Sequence, residues 1–205
     1  MNFDVRCKFA YWMKIAIVKY NAGNILSVTH ALRRLGIEPE VTDDPESLRT
    51  ADKVIFPGVG EAGSAMDYLV RKNLDKIIPA LRMPFLGICL GLQVMCRHSE
   101  ENNTPGLGIF DLEVRKFPAS GKVPHIGWNQ VMISGHPLFK NISGNPFLYF
   151  VHSYYAEIGS DTIATSEYLV PFSSALNKKN FYAIQAHPEK SGDSGEQILA
   201  NFVNI

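Results

Sequence analysis

The stretch Phe85–Gln93, Phe-Leu-Gly-Ile-Cys-Leu-Gly-Leu-Gln, constrains the fold more than any other part of the chain. The apolar run Phe85 to Ile88 reads as a buried strand, and Leu90 to Met95 reads as an amphipathic helix. Cys89 lies between them, with Gly87 and Gly91 two residues away on either side. This is the Gly-x-nucleophile-x-Gly elbow with sulfur in place of oxygen. A nucleophile on so tight a turn sits in strained backbone, and glycine at both flanks removes the Cβ clashes. The first amides of the helix bring partial positive charge beside the sulfur. A buried, inert cysteine next to two incidental glycines is the alternative, because free cysteine is among the most buried residue types.

The chain around the elbow alternates strand and helix. Ile15 to Val18 reads as a strand, and Tyr20-Asn21-Ala22-Gly23-Asn24 as a turn in which Asn24 caps the next helix. Ile25, Val28, Ala31, Leu32 and Leu35 share one helical face, and Gly36 ends that helix. Glu38 to Thr42 is a second strand, Asp43-Asp44-Pro45 opens a short helical turn, and Val54 to Phe56 is a third strand. The loop Pro57-Gly58-Val59-Gly60 follows, and Met66, Leu69 and Val70 mark another helix. Such alternation predicts an α/β fold, a mostly parallel central sheet with helices on both faces. Active sites of such sheets lie at the carboxyl ends of the strands, where the Pro57–Gly60 loop and Cys89 both fall. From Gly108 onward the chain is rich in strands and turns: 109–115, 129–133, 147–151, 163–168 and 181–185. These predict a mixed, partly antiparallel extension of the sheet. Residues 1–12 read as an N-terminal extension and 13–205 as one domain, with no linker, repeat or low-complexity segment between the halves. Cys7, in the extension, has no assigned role.

Composition removes several functions. Twenty basic and twenty acidic residues cancel, and no Lys/Arg cluster points to nucleic acid or an anionic membrane. Three cysteines, Cys7, Cys89 and Cys96, do not make a disulfide framework and fit a reducing, cytoplasmic compartment. No apolar run approaches the roughly 20 residues that span a bilayer. The cysteines and six histidines show no metal-ligand spacing, so neither metal nor cofactor is expected.

A second cluster, Gln185-Ala186-His187-Pro188-Glu189-Lys190-Ser191, follows the last of these strands. Pro188 pushes His187 into extended backbone. In extended chain His187 and Glu189 point to the same side, so the carboxylate can reach one ring nitrogen while the other faces a nucleophile. This is the base and orienting half of a triad. A solvated surface turn is the alternative, and it weakens once the Cys89 elbow stands beside it.

Gly87-Ile88-Cys89-Leu90-Gly91-Leu92-Gln93 together with Gln185-Ala186-His187-Pro188-Glu189 resembles the triad-type, class I glutamine amidotransferases, whose fold is flavodoxin-like. Tyr20–Asn24, Phe56–Gly60, Pro124-His125-Ile126-Gly127-Trp128-Asn129 and His187–Ser191 further resemble the glutaminase subunits of imidazole glycerol phosphate synthases. The resemblance covers Met13 to Ile205; Gly60-Glu61-Ala62 departs from it where a bulkier apolar residue is expected. It implies that Cys89 attacks the carboxamide of glutamine, that His187 moves the proton, and that Glu189 orients His187. It implies an oxyanion hole built from the amide of Leu90 and from Gly58, Val59 or Gly60. Gln93, Ser153 and Tyr154 match positions that hold the amino-acid end of glutamine, and His152 reads as structural. The implied partner, in a heterodimer, is a cyclase subunit with a (β/α)₈ barrel, which uses the ammonia in histidine biosynthesis. Trp128, Asn129 and Lys190 are the candidates for the surface that senses it, Trp being favoured at interface centres and Lys190 following the triad directly. A glutaminase subunit of another amidotransferase, such as the anthranilate-forming one, and a non-catalytic regulatory module are the alternatives.

Overall fold

The computed structural model describes residues 13–20 and 24–205. The expected extension, with Cys7, and residues 21–23 of the first turn lie outside the described residues. In chain order the first half runs β1 (Ile15–Val18), α1 (Ile25–Arg34), β2 (Glu40–Thr42), α2 (Pro45–Arg49), β3 (Lys53–Phe56), α3 (Ala62–Arg71), α4 (Leu74–Ile77), β4 (Phe85–Ile88) and α5 (Leu90–Met95). The second half runs β5 (Cys96–Ser99), β6 (Thr104–Pro105), β7 (Phe110–Lys116), β8 (His125–Gln130), β9 (Met132–Ile133), β10 (Phe147–His152), β11 (Tyr154–Ala156), β12 (Thr162–Tyr168), β13 (Val170–Lys178), β14 (Phe181–Ile184) and α6 (Gly192–Asn204).

Eight strands form the central sheet in the order β2-β1-β3-β4-β14-β13-β12-β9. The first five are mutually parallel and the last three antiparallel. The inner parallel strands are mostly apolar because both faces are covered, while β2 at the edge carries the exposed Glu40. Side chains alternate across the sheet: Ala16, Val18, Val54 and Phe56 join the core under α3 and α5, while Ile15, Ile17 and Ile55 join the core under α1 and α6. Two satellite sheets complete the second half, β11-β7-β5-β6 and the antiparallel pair β10-β8.

What positions the site is the adjacency of β3, β4 and β14. Register pairs Phe56 with Gly87, and Ile184 with Ile88, so the three carboxyl ends stop at nearly the same level. The Cys89 amide donates to the Ile184 carbonyl at 2.7 Å, which locks β4 and β14 together just where they end.

Several expectations are corrected. The expected strand 129–133 is broken: β8 pairs with β10 while β9 edges the central sheet. Val70 is 55% exposed and does not mark the buried face of its helix. The Asn24 side chain makes no cap bond to its helix; it is drawn elsewhere, as described below. Nothing in the sequence pattern marks β13. It carries Pro171 and adjacent serines, which read as turn, yet Ser173 and Ser174 are buried. Their hydroxyls donate to the Glu157 carbonyl (2.8 Å) and to Ser166 Oγ (2.7 Å), which removes the cost of burying them.

Candidate active site

Cys89 stands at φ 49°, ψ −102°, the strained left-handed backbone expected of an elbow. The glycines around it are required by contact. A Cβ on Gly87 would meet Met95 Sδ at 2.5 Å and the Gly91 carbonyl carbon at 2.7 Å; one on Gly91 would meet the Phe56 carbonyl oxygen at 2.6 Å. Leu90 opens α5, so its N–H is one of the first-turn amides with no intrahelical acceptor.

His187 is buried behind the cysteine. Its Nδ1 lies 2.8 Å from Glu189 Oε1, and the ring lies within electrostatic reach of the Cys89 sulfur. The imidazole is anchored to the carboxylate and shares a cleft wall with the sulfur. The path differs from expectation: after an extended His187 the chain turns at once into a 3₁₀ turn, Pro188–Lys190, and it is this turn that folds Glu189 back on the ring. Burial disfavours the imidazolium, but the Cys89 sulfur and the Glu189 carboxylate outweigh it, and the His187 pKa is raised above its ordinary value. Nδ1 is taken by the carboxylate, which leaves the other ring nitrogen to exchange a proton with sulfur.

The turn is held by its own hydrogen bonds. Ser191 Oγ donates to the His187 carbonyl (2.6 Å) and accepts from the Tyr149 amide (2.9 Å), while the His187 amide donates to the Tyr149 carbonyl (2.8 Å).

Cys89 and His187 line a cleft of about 330 Å³. Gly58, Val59, Gly60, Leu90, Gln93, Ser153, Tyr154 and Lys190 line it too, so most of the residues singled out in the sequence converge there. Trp128 and Asn129 do not line it. Trp128 lies on β8, 56% exposed and edge-on to Tyr149, and Asn129 donates to the Glu167 carbonyl at 3.0 Å. A larger cleft of about 730 Å³ between α3 and the Asn102–Leu107 segment contains no cysteine, serine–histidine pair or other activated nucleophile, and size alone does not make it the reaction site.

Four residues escape the sequence reading. Asn24 donates through Nδ2 to Glu189 Oε1, with His187 Nδ1 at 3.5 Å; a side chain expected to cap a helix instead braces the triad's carboxylate. Tyr20 Oη accepts from the Val59 amide at 3.2 Å and lies 2.8 Å from both the Pro57 and Val59 carbonyls. Burial, above all, raises the Tyr20 pKa, so the hydroxyl stays protonated and can donate to one carbonyl while it accepts from Val59. Gln185 donates to Cys89 Sγ at 3.4 Å. Glu101 lines the cleft as well. The segment Tyr20–Asn24 holds the first two signals. Gln185 sits inside the histidine motif, two residues before His187.

His152 and His125 form a buried pair, His125 Nδ1 to His152 Nε2 at 3.0 Å, with His152 Nδ1 at 2.7 Å from the Tyr154 carbonyl. That carbonyl can only accept, so His152 donates through Nδ1 and accepts at Nε2. Burial holds both rings neutral, lowering His125 to about 4 and His152 to about 3. Both rings are hydrogen-bonded within the fold, and His152 also lines the cleft.

Residues 16–205 match the family described as glutamine amidotransferase class-I. The chain belongs to that family. It is 54% identical over 196 residues to "Imidazole glycerol phosphate synthase subunit HisH" of Bacteroides fragilis, covering 94% of this chain and 100% of that one. It is 43% identical to the protein of the same name from Photorhabdus laumondii, with the same coverage. Among solved structures, PurLQS from Thermotoga maritima superposes with a TM-score of 0.73 at 19% identity, over 94% of this chain and 98% of that one. A putative GMP synthase protein from Thermoplasma acidophilum gives 0.72 at 22% identity, over 94% and 93%. At these identities the two structures speak for the class I fold alone, the fold that the family resemblance implied and with which the α/β alternation agrees.

Among the described residues there is no group of three or more His, Cys, Asp or Glu placed to hold a metal ion, and no helix long and apolar enough to cross a membrane.

Proposed function

We infer that the chain is the glutamine-hydrolysing subunit of an imidazole glycerol phosphate synthase, working in histidine biosynthesis in the cytoplasm. The observation that carries the chemistry is Cys89 and a His187 anchored on the Glu189 carboxylate at the wall of one cleft. The likeness to subunits of that synthase at 43–54% identity carries the choice within the family.

The steps follow from these groups. His187 takes the proton of Cys89, and the thiolate attacks the side-chain carbonyl carbon of glutamine. The negative charge that develops on oxygen needs fixed N–H donors; Leu90 offers one. When the tetrahedral adduct collapses, His187 returns its proton to the departing nitrogen. Ammonia leaves and a glutamyl thioester remains on Cys89. His187 then deprotonates water, which hydrolyses the thioester to glutamate. Glu189, braced by Asn24, keeps Nδ1–H of His187 fixed and stabilises the imidazolium at each transfer. Gln93 keeps its Oε1 for the amino-acid end of the substrate, beside Ser153 and Tyr154.

The second oxyanion donor is assigned to the Pro57–Gly60 loop. The Val59 N–H is engaged by Tyr20 in this conformation, so it must turn to serve, and Gly60 at φ 126° gives the loop a joint for that turn. A missing donor of this kind costs about 10²–10³ in rate. We assign the turn to docking of the (β/α)₈-barrel cyclase that receives the ammonia. Its dock is the β8–β10 face, where Ile126, Trp128, Phe147 and Val151 are all exposed; soluble proteins rarely leave such a run of large apolar side chains uncovered. Lys190, exposed at the cleft, follows the triad directly and is the candidate sensor of that docking.

Neither the other amidotransferase nor the regulatory module is favoured by any feature of the site. The test is the reconstituted complex. Cys89→Ala should abolish synthesis driven by glutamine and leave synthesis driven by free ammonia unchanged. Retained glutamine-driven synthesis would overturn the assignment.

A further inference from the structure

The sulfur of Cys89 meets a side chain outside the triad. Gln185 follows β14 and is fully buried, and its Nε2 lies 3.4 Å from Sγ. On its other side Sγ is 3.8 Å from the Val151 carbonyl, an acceptor to which the resting thiol proton can point. A carboxamide buried to this degree is costly unless both ends are paired, and here both are.

The direction of the amide follows from the network. The Tyr154 carbonyl can only accept, so the atom that Gln93 presents to it at 2.9 Å is Nε2. The same Nε2 lies 3.1 Å from the Gln185 carboxamide, which must therefore turn its oxygen toward Gln93. The nitrogen of Gln185 is then left facing sulfur. One backbone carbonyl thus sets the orientation of two buried glutamines up to the nucleophile. Gln93 consequently does more than wait for substrate.

Resting on the glutaminase reading above, we propose that Gln185 is a further catalytic residue, whose N–H is held on the Cys89 sulfur as a fixed donor that aims the thiolate and stabilises it. A thiolate accepts such a bond far better than a thiol, since charge strengthens it. The donor therefore acts when His187 has removed the proton. It acts again when water has added to the thioester and the C–S bond breaks, returning the electron pair to sulfur. Gln93 and the Tyr154 carbonyl act through Gln185 and are positioning groups.

The experiment measures alkylation of Cys89 by iodoacetamide against pH in the assembled complex, read on the Cys89 peptide by mass, together with kcat and KM for glutamine. In Gln185→Met, of similar size but without a donor, the alkylation midpoint should move up by about one pH unit and kcat fall roughly tenfold, a change expected of one charge-assisted hydrogen bond. KM should stay within about twofold of wild type on the same ground, since the lost bond is made to sulfur and not to substrate. Gln185→Glu serves if the methionine variant does not fold. It still accepts from Gln93 but sets an anion against sulfur, and its midpoint should move further up. An unchanged midpoint with unchanged kcat in a folded variant overturns the proposal, and so does a rise in KM alone. Failure of the glutaminase reading itself is distinguishable, because wild-type complex would then make no product from glutamine at all.

Discussion

The cysteine elbow and the histidine turn face the same task, to hold one side chain still at the carboxyl end of a strand, and meet it by opposite means. The elbow is fixed by exclusion. Its backbone is strained at Cys89, and Gly87 and Gly91 are boxed in by Met95, Phe56 and each other. The turn is fixed by attachment: Ser191, Tyr149 and Glu189 tie His187 directly, and Asn24 braces Glu189. The difference suits the chemistry. The nucleophile needs a defined location but few bonds, because sulfur must be free to attack. The base needs a fixed tautomer, which only hydrogen bonds can select.

Breaking the steric device should have the largest effect. Gly91→Val drives side-chain atoms into the Phe56 carbonyl, which is backbone and cannot swing away. Overpacking of this kind costs about 1–3 kcal/mol at moderate sites and more against backbone, so the expected outcome is little soluble protein and no glutaminase activity. A well-folded, active Gly91→Val would show that the elbow tolerates rearrangement. Breaking an attachment should be milder. Ser191→Ala removes one acceptor and one donor of the turn, a loss of about 1–3 kcal/mol. A fall of several degrees in Tm is expected, with kcat reduced and the fold intact. Equal damage from both substitutions would erase the distinction drawn here.

Acid offers a graded perturbation and a directional one. The turn leans on β10, which carries His152 paired with His125. Both rings are buried neutral, with pKa values lowered to about 3 and about 4, whereas in the unfolded chain they titrate near 6.5. As pH falls below about 6.5 the unfolded state takes up protons that the folded state refuses, so stability is lost between about 6.5 and 4. Thermal melts across that range should show the decline, and His152→Gln should flatten it. A slope unchanged in the variant would assign the acid sensitivity elsewhere.

The contrast also explains what can be read from the sequence. Steric devices leave local marks. Gly87-Ile88-Cys89-Leu90-Gly91 announces itself in five residues, and the apolar runs of β1, β3 and β4 mark a covered parallel sheet. Attachments reach across the chain: Asn24 meets Glu189 across 165 residues, and Gln185 meets Cys89 across 96. No periodicity records such pairs, so Asn24 reads as a cap and Gln185 as the end of a strand. Strand β13 goes unmarked for a related reason. Its buried serines look like turn residues until their partners on β12 and beyond β11 are in view. The C-terminal helix α6 is hidden because Gly192 and Gly195 open it, with its apolar residues Ile198, Leu199 and Phe202 coming late.

The central claim is that Cys89 is the reacting thiol, and the neighbouring Cys96 supplies a control within the same molecule. Cys96 lies at the far end of α5, fully buried, its thiol pushed up by burial and by the charges of Glu157 and Glu113. A diazoketone analogue of glutamine, which alkylates a thiolate only where glutamine itself is bound, separates the two. In the assembled complex it should label Cys89 and leave Cys96 untouched. Glutamine should protect against it, and glutamine-driven synthesis should stop in proportion to labelling while ammonia-driven synthesis continues. Loss of glutamine-driven synthesis without a label on Cys89, or full labelling of Cys89 with that synthesis intact, would contradict the account.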